Sequence, residues 1–188
     1  MKFKSINKIH QGKFITRYNI DYETVSGRGK TYEMISRNPN ITDYDDLRGG
    51  RVDAVVMILH DESNDQILLS REFRMATGEW VYNFPAGLID SGEDAASAAE
   101  RELREETGLK LTRIDEIWFE SYSAVGFSNE KNIVIEGMAS GEIKPSDSEM
   151  EEIEAYWYTK AEIRALLKVA RFAARTQAYC VLWSREQK

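Results

Sequence analysis

Three glutamates, Glu102, Glu105 and Glu106, stand at i, i+3 and i+4. On a helix that spacing brings their carboxylates to one side, close to one another. Two readings follow. As a solvated acidic face partnered by Arg101 and Arg104, the repulsion would cost only tenths of a kcal/mol. As a cluster gathered around a hard divalent cation, the same groups would suit magnesium, which takes carboxylate oxygen, keeps several waters and bridges protein to phosphate oxygens. Such an ion polarises a phosphoryl oxygen, lowers the pKa of a bound water and offsets charge on a leaving phosphate.

The elements that must hold these residues can be read around them. A helix is expected over residues 93–107, with Ser91 three residues before Asp94 resembling a capping box and Gly108 suited to the position after the last turn. Ala95, Ala99 and Leu103, with Ala96 beside them, form its apolar stripe. Residues 13–24 alternate, with Phe14, Tyr18, Ile20 and Tyr22 on one face, as in a half-buried strand. Ser26-Gly27-Arg28-Gly29 reads as a hairpin turn into a second strand at 30–36. Residues 38–50 are expected as a loop between an N-terminal hairpin region, 1–50, and a main body, 51–188. In the body, 53–58, 66–69, 114–123, 132–139 and 153–158 read as strands, and 160–169 and 173–183 as helices. Strands and helices do not alternate regularly, so the fold class expected is α/β with a mixed sheet flanked by helices.

Composition narrows the classes. The chain has 188 residues with 42% hydrophobic and 30% charged content, and a net charge of −7. No basic face for nucleic acid is implied. An acidic protein that binds a phosphate needs something cationic, and a metal ion is the natural candidate. The single cysteine, Cys180, lies in an apolar stretch and reads as a small core residue. His10 and His60 have no metal-like spacing, and Trp80, Trp118, Trp157 and Trp183 read as core or interface. Met1-Lys2-Phe3-Lys4 is followed by no apolar run, so neither a secretory leader nor a membrane span is expected, and the cytoplasm is the expected compartment.

Residues 87–109, GLIDSGEDAASAAERELREETGL, match the Nudix box at every defined position: Gly87, Glu93, Arg101, Glu102, Leu103, Glu105, Glu106, Gly108 and Leu109. A chance match at a given start is on the order of one in a billion. The chain therefore resembles the Nudix hydrolases. The resemblance implies an α/β/α sandwich and a magnesium site, manganese being an alternative. It implies Glu102 and Glu106 as principal ligands, Glu105 beside them, and the Ala86 carbonyl as a further ligand. Arg101 would pin the cluster, Glu93 would orient it from the helix start, and Gly87 would allow the tight loop.

Outside the box, Arg71-Glu72-Phe73-Arg74, Pro85-Ala86-Gly87 and Gly126-Phe127-Ser128-Asn129-Glu130 resemble the ADP-ribose and ADP-sugar pyrophosphatase branch. That implies a nucleoside diphosphate-sugar substrate, with Arg74 and Glu130 on the substrate side. It also implies a homodimer formed through the N-terminal hairpin, and a general base from the acidic loop 146–152. Glu149 is the expected base, with Glu151 and Glu152 close behind. One departure stands out: Val125 occupies the place where ADP-ribose hydrolases carry proline. The same chemistry on a nucleoside triphosphate, a dinucleotide polyphosphate or another NDP-sugar stays open, as does a non-catalytic metabolite sensor.

Overall fold

The computed structural model describes residues 1–148 and 150–185. The chain divides into two compact units, Met1–Asp53 with Glu120–Asn132, and Ala54–Phe119 with Ile133–Lys188.

In the first unit, β1 (Lys2–Gln11), β2 (Thr16–Glu23) and β3 (Gly29–Ser36) form an antiparallel sheet in that order. Gly27, at φ 79°, makes the turn between β2 and β3. Tyr18, Ile20, Met34 and Ile41 form the core. The Tyr18 hydroxyl donates to the Asn38 carbonyl at 2.9 Å and accepts from the Ile41 amide at 3.3 Å, which pins the following loop to the sheet. That loop holds a short helix, α1 (Tyr44–Arg48), where none was expected; Asp43 caps it. The segment Glu120–Asn132 joins this unit through main-chain bonds, Ile35 N–H to Phe127 O at 2.9 Å and Asp53 N–H to Lys131 O at 3.0 Å.

Two expectations for this region change. β1 alternates too weakly to be read from sequence, and two bulges interrupt its register. Phe14 is 70% exposed because the Gly12 amide turns back to the Ile15 carbonyl at 2.9 Å, so β2 begins only at Thr16. The inward series is therefore Thr16, Tyr18 and Ile20.

The remaining strands are β4 (Ala54–His60), β5 (Gln66–Arg74), β6 (Glu79–Asn83), β7 (Ala86–Leu88), β8 (Lys110–Tyr122), β9 (Lys131–Ser140) and β10 (Ile153–Thr159). They form one mixed sheet in the order β10-β5-β4-β9-β8, with β6 on β5 and β7 on β4. One face carries α3 (Lys160–Leu166) and α4 (Ala174–Trp183), whose Ile163 and Cys180 share a core with Val56, Ile67, Leu69 and Phe84. The helix α2 (Ala95–Thr107) packs on β7, β4 and β10 and covers the other face.

β6 and β7 are too short to be legible, and β5 runs past residue 69 because β10 and β6 supply partners as far as Glu72 and Arg74. β8 starts at Lys110, four residues before the expected start at 114, and α3 stops at Leu166. The cap of α2 is Asp94, which accepts from the Ser97 amide at 2.8 Å; Ser91 plays no such part. Gly92, at φ 87°, keeps the chain out of helix until it has passed that turn. The stripe of α2 likewise shifts: Ala98, Ala99, Leu103 and Thr107 are buried, while Ala95 and Ala96 lie at its margin. Gly108 closes the helix in the left-handed region, φ 75°.

Candidate active site

Glu102 and Glu106 share the sheet-facing side of α2 with its buried residues, and Arg101 and Glu105 stand at the margin of that side. Arg101 organises the group. Its Nε and Nη2 fork onto the two oxygens of Glu93 at 3.1 and 2.8 Å, Nη2 also donates to the Leu88 carbonyl at 2.9 Å, and Nη1 donates to Glu102 Oε1 at 2.8 Å. A weaker contact reaches Glu105 Oε2 at 3.4 Å. The planar guanidinium can serve all of these at once, as a lysine could not. Glu93, which precedes the helix rather than starting it, also accepts from the Asp90 amide at 3.1 Å. The loop before α2 is thereby tied to the middle of the helix. Hydrogen bonding from Arg101 holds the Glu93 carboxyl below the usual range.

Gly87 on β7 lies opposite Val55, and Ala86 opposite Val56, in the pairing with β4. A Cβ on Gly87 would fall 1.9 Å from Cδ of Glu102. The glutamate side chain occupies the space that any other residue there would fill.

Glu106 is the most perturbed acid. Its Oε2 is shut off from solvent and meets no hydrogen-bond donor among the described residues. Burial pushes its pKa up to about 8, the charges of Glu102, Glu72 and Glu151 push the same way, and the Ala86 backbone partly offsets them. Burial also raises Glu102, against the pull of Arg101. Glu105 is more open, its side chain 44% exposed and shared between Arg101 at 3.4 Å and Arg104 at 3.7 Å.

The acidic loop approaches this group through main-chain ties. Asp147 N–H donates to the Glu105 carbonyl at 3.0 Å, and Phe73 N–H donates to the Glu152 carbonyl at 3.0 Å. The charge of Glu151 bears on Glu72, Glu102 and Glu106. Glu149, the expected base, lies outside the described residues. Arg74, at the end of β5, is paired with Glu72 at 3.0 Å. Glu130 belongs to the first unit, where Arg37 and Ser123 each donate to it at 2.9 Å. The second unit thus holds Ala86, Gly87, Glu93, Arg101, Glu102, Glu105, Glu106 and Arg74. Sequence reading missed Glu72; carrying the alternation of β5 past residue 69 would have placed it on the face of Leu68 and Ser70.

The donor set suits a hard cation. The side chains gathered here are carboxylates, with no thiolate or imidazole among them, which favours magnesium or manganese over zinc or copper. A buried carboxylate with an unpartnered oxygen, surrounded by like charges, is the group a divalent cation would satisfy. No group of three or more acidic, cysteine or histidine side chains among the described residues forms a ready metal cage. Glu102 Oε1 accepts from Arg101 at 2.8 Å, which holds that carboxylate in place by one of its two oxygens.

Comparison with known proteins gives the class. The NUDIX domain family matches residues 50–179, and the chain belongs to it. Over 108 residues the chain is 33% identical to the ADP-sugar pyrophosphatase of Mus musculus, covering 54% of this chain and 45% of that one. It is 34% identical over 100 residues to the ADP-ribose pyrophosphatase of Saccharomyces cerevisiae, covering 51% and 40% respectively. The chain therefore spans about half the length of these relatives. A solved structure of an ADP compounds hydrolase superposes with a TM-score of 0.73 at 22% identity, covering 97% of this chain and 92% of the other, which shows a shared fold. No helix among the described residues is long and apolar enough to cross a membrane.

Proposed function

We propose that this chain is a magnesium-dependent pyrophosphatase that cleaves the diphosphate of a nucleoside diphosphate joined to a sugar, with ADP-ribose, giving AMP and ribose 5-phosphate, as the favoured substrate. The complete box, folded so that Glu106 keeps a buried, unpartnered oxygen beside Glu102, is the observation that supports it most. A non-catalytic sensor has no need of that strained group. The names of the mouse and yeast relatives support the substrate class.

In the reaction a water attacks one phosphorus, the bond from that phosphorus to the bridging oxygen breaks, and the leaving phosphate departs with the bridging oxygen. A bound divalent cation would supply charge neutralisation of the diphosphate and activation of the water. Glu102, Glu105, Glu106 and the Ala86 carbonyl would hold it. Arg101 keeps Glu102 and Glu105 in place and limits their mutual repulsion. Arg74 exchanges its pairing with Glu72 for a phosphate oxygen. A carboxylate of the 146–152 loop accepts the proton of the water.

Glu149→Gln is expected to depress kcat with little change in KM, because the base acts in the transition state. Should Glu151→Gln be the damaging change instead, the loop keeps its role and the base is Glu151, whose charge bears on the cluster. The substrate is tested by comparing kcat/KM for ADP-ribose, ADP-glucose, GDP-mannose, NADH, diadenosine polyphosphates and nucleoside triphosphates under one magnesium condition. Val125, 78% exposed where proline would mark ADP-ribose hydrolases, is the feature that favours a different member of the panel. A triphosphate or dinucleotide polyphosphate ahead of every NDP-sugar by tenfold would overturn the substrate class. The same panel on Glu130→Gln, read as KM, tests its substrate role.

A homodimer through the N-terminal region is also proposed. Ile9, Phe14 and Ile15, beside the connection between β1 and β2, are 43%, 70% and 48% exposed, a patch suited to burial against a second copy. Light scattering at micromolar concentration is expected to give a dimer mass, with an interface above roughly 1,000 Å²; a monomer refutes it.

A further inference from the structure

Glu72 lies outside the glutamate-bearing helix, and its direction is fixed by strand alternation. Ile67 and Leu69 of β5 pack in the core shared with α3 and α4. Leu68, Ser70 and Glu72 therefore project from the opposite face. The helix α2 packs on both β4 and β10, which flank β5, so it passes over that face. The register sets Glu72 opposite Ile153, the first residue of β10, and the bond from Phe73 N–H to Glu152 O brings the acidic loop in next to it.

Glu72 thus sits where β5, the acidic loop and α2 meet. Its side chain is only 16% exposed and pairs with Arg74. Burial raises its pKa, and its charge acts on Glu106, whose Oε2 is buried without a hydrogen-bond partner among the described residues. A pairing with Arg74 alone would be served as well at the exposed strand end. Holding a third strand-borne or helix-borne acid against Glu106 costs repulsion unless a cation offsets it.

We propose that Glu72 is a further carboxylate of the cation site, contributed by the sheet rather than by the box helix, and that it holds the divalent cation directly or through one of its waters. This rests on the reading that the cluster binds a cation. Glu72 then has two tasks that the sequence does not separate: completing the cation's surroundings and keeping Arg74 beside them until a phosphate arrives.

The test is Mn2+ binding to the full chain without nucleotide, followed by the spin-resonance signal of free Mn2+ or by calorimetry. Glu72→Gln is expected to weaken Mn2+ by about tenfold or more, the usual effect of losing a carboxylate that supports a metal site. Glu72→Asp, which keeps the charge but withdraws it by one methylene, should fall between that variant and the unaltered protein. Arg74→Gln should bind Mn2+ no more weakly than the unaltered protein. The metal-free melting temperature of Glu72→Gln should not fall, since one of several mutually repelling carboxylates has gone. Unchanged Mn2+ affinity in both Glu72→Gln and Glu72→Asp, with Glu106→Gln clearly weakened, would overturn the role of Glu72 and leave the cation site standing. Unchanged affinity in Glu106→Gln would overturn the cation site itself.

Discussion

Replacing Glu106 by Gln is expected to lower kcat by about three orders of magnitude, because losing a principal cation ligand removes several kcal/mol of transition-state charge stabilisation. The same change should make the metal-free protein more stable at alkaline pH. The pKa of Glu106 rises from 4.5 to about 8 in the folded chain, chiefly through burial. The fold therefore favours the neutral acid. Between these two values the folded chain keeps a proton that the unfolded chain has released. The stability contributed by neutral Glu106 is full below 4.5 and is lost as pH rises through about 8. Melting temperatures of metal-free protein should accordingly decline across that window, and added magnesium should restore more stability at its upper end. In Glu106→Gln the decline should flatten and the magnesium response should shrink. Near-normal turnover in Glu106→Gln, or a metal-free protein whose stability ignores pH across the window, would sink the assignment.

Gly87→Ala should cost activity on a similar scale while leaving the fold nearly intact. The new Cβ would lie 1.9 Å from Cδ and 2.3 Å from Cγ and Oε1 of Glu102. Both cannot stay. Gly87 has an ordinary backbone conformation, and the obstructing atoms belong to a flexible side chain, so the glutamate will give way. Its displacement breaks the 2.8 Å contact with Arg101 and removes one carboxylate from the cluster. A misplacement of about 1 Å in a reacting constellation is enough to cost a hundredfold in rate. We expect kcat to fall at least about that far, with a loss of stability of only about 1 kcal/mol. Turnover close to normal would mean that Glu102 is not needed where it stands. A collapse of the melting temperature would mean that Gly87 serves the fold instead.

The legible part of this protein was local. The box could be read because its residue types recur at helical spacing, which brings Glu102, Glu105 and Glu106 close together on α2. Gly108 could be read because a helix that ends in the left-handed region selects glycine. The strand at Thr16–Glu23 could be read from Tyr18 and Ile20, although its true start depended on how Gly12 turned the chain. The short strands Glu79–Asn83 and Ala86–Leu88 could not be read, since each exists only because β5 or β4 offers it an edge.

By itself, then, the sequence determined the family, the identity of the glutamates and the arginine that serves them, because those depend on residue types at fixed separations along one helix. Tertiary structure alone decided how the glutamates differ. Burial against the sheet and the Ala86 backbone singles out Glu106, Gly87 makes room for Glu102, and Glu105 stays open at 44% exposure. Tertiary structure also brought in Glu72, 30 or more residues away along the chain from any of them, because the face of β5 that carries it lies beneath α2. Desolvation and electrostatic repulsion act through space, and no spacing rule along a single helix can register them.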